Sequence, residues 1–341
     1  MITAIWTIVI FCVIIAIHEF GHFITAKLSG ITVHEFSIGM GPKLFGFEKG
    51  GTKYSLRLLP VGGYCAMEGE DGNSDDDNAF CKKSVWKRFL VLVSGAVMNI
   101  LLGFLIFVFL VSVTPARGSN VIGEIIPGSA AEQVGLMSGD KIVKMESENF
   151  SSGINTYSDI SFFKYQNQNA ETKITVKRGN EKLTFTITPT VIDESGDPKF
   201  GFATGTFEKN FFDVIYVAFC ESVFVVKLVL ISFWQLITGT APLTSVAGPV
   251  GIVSEINTAA QTGYLSVLSL AALISINLGI VNLFPFPALD GGRILLLIIE
   301  KMRRKPMSAN HEAAINFIGM IILLLFALVV TFFDIGRLFG A

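Results

Sequence analysis

Several bilayer-length apolar stretches, a polar insert at 118–207 and a glycine-rich run of alternating short segments at 31–67 predict a polytopic α-helical membrane protein. The predicted architecture is about four transmembrane helices with a membrane-associated β region, plus an inserted extracytoplasmic α+β domain. Of the 341 residues 51% are hydrophobic and only 16% charged, with a mean hydropathy of +0.59, so at most one modest soluble domain fits. A net charge of −2 without a long basic block argues against a nucleic-acid partner and leaves the lipid bilayer as the expected surroundings. Cys12, Cys65, Cys81 and Cys220 are scattered, with no CxxC pair, and read as free thiols or packing residues.

The first apolar stretch, Ile2 to Leu28, lacks a basic leader and a small-residue cleavage site before His18, so it is expected to remain as an anchor. Ile31 to Met67 is too interrupted for a helix; runs such as Tyr54-Ser-Leu-Arg-Leu-Leu59 predict short strands. Asp71 to Asn78 reads as a solvated acidic loop. Phe89 to Val113 is the second span, ending near Pro115. In the insert, Lys173–Arg178 and Lys182–Thr188 alternate around a Gly179-Asn180 turn and predict a hairpin. Val267 to Phe284, continuing irregularly to Ile299, and Ala313 to Phe333 complete the spans. Phe211 to Ile237 is also long enough, but it carries Glu221 and Lys227.

Basic residues set the orientation. Lys82, Lys83, Lys87 and Arg88 precede the second span and Lys301, Arg303, Arg304 and Lys305 lie before the last, so both loops are expected in the cytoplasm and 118–207 outside it. The expected divisions are 1–117, an N-terminal membrane half; 118–207, the outer domain; 208–263, interfacial helices and a loop; and 264–341, a C-terminal membrane half.

Within the first span stands His18-Glu19-Phe20-Gly21-His22. HExxH on a helix places two imidazoles one turn apart on one face, the spacing that grips Zn2+, with the glutamate beside them as general base. Ionisable groups at membrane depth cost about 2.5–3.5 kcal/mol each on insertion scales, which disfavours the alternative of two packing histidines and a paired glutamate. A catalytic zinc needs a third protein ligand. His34 and His311 are poorly placed, whereas Asp290 follows a break made by Pro285 and Pro287 and precedes Gly291-Gly292. Irregular backbone at membrane depth is tolerated only where it is buried or lines a watery cavity. Asp290 alone reads equally well as a helix cap. Topology favours the ligand: if Phe211 to Ile237 lies along the outer surface or re-enters, the Val267 span runs inward and brings Asp290 to the leaflet of His18 and His22. Two other classes share these features, a catalytically inactive membrane scaffold and a membrane metal transporter.

These motifs, with Gly95-Ala-Val-Met-Asn99 in the second span and Asn282-x-x-Pro-x-Pro-x-Leu-Asp-Gly-Gly292 later, resemble the site-2 protease family of intramembrane zinc metalloproteases, closest to its bacterial RseP and RasP type. Residues 120–143 resemble a PDZ domain, here a single one, with Lys199-Phe-Gly-Phe202 similar to a carboxylate-binding loop, so a peptide ligand of this domain is a further expectation. The resemblance implies zinc ligation by His18, His22 and Asp290 and catalysis by Glu19. It implies substrate contacts or positioning by Asn99 and Asn282, and matches 31–67 with the family's membrane-embedded β region. Pairing of an unwound substrate with Tyr54, Ser55, Leu56 and Arg57 through main-chain bonds is expected by analogy with β-augmentation. The implied substrates are pre-trimmed single-span membrane proteins such as anti-sigma factors, signal-peptide remnants or pheromone precursors. The implied setting is the bacterial cytoplasmic membrane, with the active site toward the cytoplasmic side.

Overall fold

The structure, a computed structural model, describes residues 2–70, 72, 74–114, 118–148, 150–167, 170–191, 198–207, 210–305 and 307–338. Pro115 and Asp71, expected at the end of the second span and the start of the acidic loop, lie outside the described residues. In chain order the elements are α1 (Ile2–Leu28), β1 (Val33–Lys49), β2 (Thr52–Met67), α2 (Val85–Val113), β3 (Gly118–Ile125), α3 (Ala130–Gln133), β4 (Lys141–Glu146), β5 (Ser151–Gly153) and α4 (Tyr157–Gln166). They continue with β6 (Thr172–Arg178), β7 (Glu181–Ile187), β8 (Thr190–Val191), β9 (Pro198–Lys199), β10 (Phe202–Thr206), α5 (Phe211–Thr238), α6 (Pro249–Thr262), α7 (Tyr264–Asn282), α8 (Asp290–Arg303) and α9 (Ala309–Leu338). The chain forms two compact units, one of residues 1–106 and 225–341, the other of residues 107–224.

By length and composition, five helices among the described residues can cross a membrane: α1, α2, α5, α7 and most of α9. The stretch expected to lie on or dip into the membrane is thus one unbroken 28-residue helix, α5. In the first unit, α1, α2 and α7 approach closely because small residues face the contacts, the usual device where lipid offers no hydrophobic driving force. A Cβ on Gly21 would stand 2.5 Å from the Ser94 carbonyl oxygen, and one on Gly279 2.8 Å from that of Ala96. α6 buries Ile256 against Ile10 and Ile14 of α1 and Val267 and Ala271 of α7. Its N-terminus is capped from a distant helix: the N–H groups of Gly248 and Gly251 donate to Asp334 of α9 at 3.2 and 2.7 Å.

The third predicted span breaks where the prolines predict. α7 ends at Asn282 and α8 begins at Asp290, with Ala288 between them at φ 72°. Gly291 and Gly292 are required by this break, because a Cβ on either would stand 2.2–2.3 Å from the carbonyl oxygen of Phe284 or Phe286.

Where short strands were expected, β1 and β2 run for 17 and 16 residues and fold back on one another. The register pairs 33–38 with 63–67 on one side and with 53–56 on the other, while 53–57 also pairs with 43–49. The resulting ribbon order is 63–67, 33–38, 53–57, 43–49. Gly39 makes the fold possible, at φ 85° and with no room for a Cβ, which would stand 2.6 Å from the Leu59 carbonyl oxygen.

The second unit carries a sheet of order β10-β3-β4-β6-β7, with β5 on β4. α4, closed by a Thr156–Asp159 capping box, packs Ile160 and Phe163 into a core with Ile122, Ile142, Met145, Ile174 and Val176. The β6–β7 hairpin forms as predicted, Arg178 opposite Glu181 with Gly179 at φ 60° in the turn. Arg178 donates to both carboxylate oxygens of Asp140 at 2.7 and 2.8 Å, which holds that buried carboxyl below its usual range.

Candidate functional site

His18 and His22 lie on the face of α1 that meets α2, both buried. They pack on bare backbone, since a Cβ at Gly95 would stand 2.5 Å from His22 Nε2 and 2.8 Å from His18 Cε1. Asp290, the first residue of α8, completes a triangle: His18 Nε2 to His22 Nε2 is 3.2 Å, His18 Nε2 to Asp290 Oδ2 is 3.2 Å, and His22 Nε2 to Asp290 Oδ2 is 3.4 Å. This is the one group of three or more such side chains close enough to hold a metal ion among the described residues.

The protonation pattern of the triangle is set from behind. His22 Nδ1 lies 2.8 Å from the Val91 carbonyl, which can only accept, so Nδ1 carries the proton and Nε2 presents a lone pair. The side-chain amide of Asn99 lies 3.4 Å from His18 Nδ1, and its Oδ1 is otherwise buried without a donor. With that amide turned so that Oδ1 faces the ring, it accepts the Nδ1 proton and leaves His18 Nε2 as a second lone pair. Asp290 Oδ2 is likewise buried with no donor. Three lone pairs facing one another repel unless a cation lies between them. Bonds of about 2.0–2.1 Å at tetrahedral angles would place neighbouring donors about 3.3–3.4 Å apart, close to the observed edges, so the donor set fits zinc.

A cavity of about 350 Å3 opens on the triangle, lined by Glu19, the 64–67 stretch of β2, Glu70, Leu92 and Arg293 besides the three donors. Burial first, then Glu19 and Glu70, push the Cys65 thiol up, so it stays protonated there. Gly63 brings the outer ribbon against Glu19, for its Cβ would stand 3.2 Å from Glu19 Cγ.

One expectation needs correction. Tyr54, Ser55 and Leu56 cannot receive a substrate strand, because each already has a neighbour on both sides, Phe36 and Phe47 for Tyr54. Arg57 is a brace across the sheet, donating to Glu35 at 2.7 Å, Ser37 at 3.1 Å and the Tyr64 hydroxyl at 2.6 Å. Burial opposes ionisation of Glu35, yet the bonds from Ser55, Arg57 and Tyr64 hold its carboxyl at about 2. The outermost ribbon nearest the donors is 63–67, where Glu70 accepts the Met67 N–H. Asn99 has no exposed surface and lies against His18, an arrangement that fits the positioning alternative and not direct contact with substrate. Asn282 is half-buried at the end of α7 and does not line the cavity.

The model of peptidase family M50 matches residues 6–326. Zinc metalloprotease RasP of Bacillus licheniformis is 33% identical over 424 aligned positions that cover 99% of this chain and all of that protein. Regulator of sigma-W protease RasP of Bacillus subtilis is 31% identical, covering 99% of both chains.

Proposed function

Because the chain belongs to peptidase family M50 and is a zinc metalloprotease with membrane-spanning helices, we propose that it cleaves peptide bonds within or near the transmembrane segments of single-span membrane proteins whose outer parts have already been trimmed. The observation that carries this reading is the depth of the donor triangle, two of whose members lie well inside a helix of bilayer length.

In this reading His18, His22 and Asp290 hold zinc and Glu19 is the general base. Bound zinc supplies Lewis acidity, polarising the scissile carbonyl and lowering the pKa of water toward about 7. Glu19 takes the proton of the attacking water and passes it to the leaving amine nitrogen. Val91 and Asn99 keep both imidazoles in the ligating tautomer, and Gly95 lets them sit flush against α2. A helical substrate has its amides bonded internally, so it must unwind, and the 63–67 edge offers the lost main-chain partners. Asn282, the last residue of α7, stands at the break and is read as a positioning residue.

We read α5 as re-entrant. Phe233 near its C-terminal end stacks on Phe284 with ring centroids 4.1 Å apart, close to the α7 break, whereas Gly248 is held by Asp334 near the far end of α9. The stretch from 233 to 248 therefore turns back along the bundle. With α5 so read, the basic residues at 82–88 and 301–305 favour 118–207 outside and the site toward the cytoplasmic side. Residues 118–207 are read as a single PDZ domain that screens substrates by the size of their outer part or binds their ends. The candidate substrates are membrane anti-sigma factors, signal-peptide remnants or pheromone precursors, and the Bacillus subtilis relative carries the name regulator of sigma-W protease.

The test is cleavage of a model single-span substrate by purified protein, with and without a chelator, beside Glu19→Gln. Loss of cleavage with zinc retained in the variant is expected. Undiminished cleavage by Glu19→Gln overturns the mechanism.

A further inference from the structure

The edge strand and the ligand helix face one another across the cavity, and one side-chain pair ties them together. Glu70, three residues past the end of β2, accepts the Met67 N–H on Oε2 at 3.4 Å, while its other oxygen pairs with Arg293. Arg293 lies one turn after Asp290 on α8, on the same face. Both partners line the cavity, and their side chains are only 20–28% exposed. Behind them Cys65 and Met67 of the edge share a core with Ile294 and Leu297 of α8. Arg293 is also the only fixed cation among the cavity-lining residues.

A strand added to the 63–67 edge would run about 4.8 Å from it, and successive peptide units would pass the donors every 3.4 Å or so. Backbone pairing alone leaves such a strand free to slip, because hydrogen bonds repeat along it without regard to side chain. What decides which peptide bond meets the metal centre is the separation and alignment of the edge relative to α8. The Glu70–Arg293 pair, with its bond to Met67, sets both.

We propose that Glu70 and Arg293 form a register clamp, fixing the substrate-pairing edge against the ligand helix and so selecting the peptide bond that is cut. The proposal rests on the strand-addition reading above. Glu70 and Arg293 are positioning residues here, acting through the edge and the helix that they hold.

The test uses the full-length protein in lipid vesicles and a single-span model substrate, a Leu/Ala segment of roughly 20 residues with a central Ser/Gly-rich stretch. Products are mapped by mass spectrometry, and bound zinc is measured on each protein. Glu70→Gln and Arg293→Gln should keep their zinc while the single dominant cut spreads to bonds one or two residues away. Arg293→Lys, which keeps a cation at the position, should restore the dominant cut. Glu300→Gln, which breaks the neighbouring Arg88–Glu300 pair on the same helix, should leave the cut position unchanged. The proposal is overturned if the Gln variants cut only at the wild-type bond at any rate, or if they lose zinc, which would make the pair a support for Asp290. If wild-type protein carrying zinc cuts nothing, the proteolytic reading fails and the clamp falls with it.

Discussion

Gly95→Ala tests the idea that the metal centre depends on backbone bareness at α2. The added methyl would stand 2.5 Å from His22 Nε2 and 2.8 Å from His18 Cε1. Ordinary heavy-atom contact begins near 3.5 Å, so the imidazoles must withdraw by about 0.7–1 Å, or α2 must retreat by as much. Metal–ligand distances tolerate only about 0.2 Å. Disturbing the supports of a ligand typically costs 10–100-fold in metal affinity, and displacing two ligands directly should cost at least the upper figure, about 2.7 kcal/mol. The measurement is zinc affinity by competition with a chromophoric chelator, alongside cleavage rate at saturating zinc. Gly103→Ala is the control, since its methyl meets Ile276 Cγ1 at 2.4 Å and the Ala272 carbonyl oxygen at 2.9 Å, an α2–α7 contact away from the imidazoles. It should lower the unfolding temperature and leave zinc affinity within a few-fold. Wild-type zinc affinity in Gly95→Ala would refute the reasoning, because it would mean that rings or helix make room for the methyl at no cost to ligation.

Three further outcomes follow from other parts of the molecule. Proline scanning through 63–66 should lower cleavage without zinc loss wherever the replaced N–H points away from β1, and uniform tolerance would count against strand addition at this edge. In the second unit, the Asp140 carboxyl is held down by Arg178, so its contribution to stability is complete above the unfolded carboxylate pKa of about 3.9 and is lost as pH falls through the lower folded value. Hydrogen exchange of β4 and β6, corrected for intrinsic rate, should therefore accelerate below about pH 4 in the wild type. Arg178→Met should show weakened protection even at pH 7, by roughly 2–3 kcal/mol, less than for a fully buried pair because Arg178 is one-third exposed. Asp334→Ala should raise exchange across α6 specifically, by removing the acceptor for Gly248 and Gly251 N–H at a cost of about 1–3 kcal/mol, and unchanged protection of 249–262 would sink the capping role.

The parts of the site that follow a local period were readable from the chain alone. His18 and His22 share a face because the helix repeats every 3.6 residues, and Asp290 announces itself because Pro285, Pro287 and two glycines can only mean a broken helix. What could not be read is what depends on which ribbon lies outermost. Tyr54-Ser-Leu-Arg alternates as an edge strand would, yet alternation is identical for a central ribbon, and only the fold-back through Gly39 leaves 63–67 outermost instead. Glu70 and Arg293 are 223 residues apart and belong to no motif, so neither stood out. Gly95 shows the limit most sharply: the sequence places it in the Gly95–Asn99 motif, but does not tell that its packing partners are the two imidazoles. The site therefore depends on the closeness of three backbones, at Gly95, Gly291 and Gly63, as well as on its ligands. Substitutions at these glycines should be more damaging than conservative changes at the half-buried Asn282.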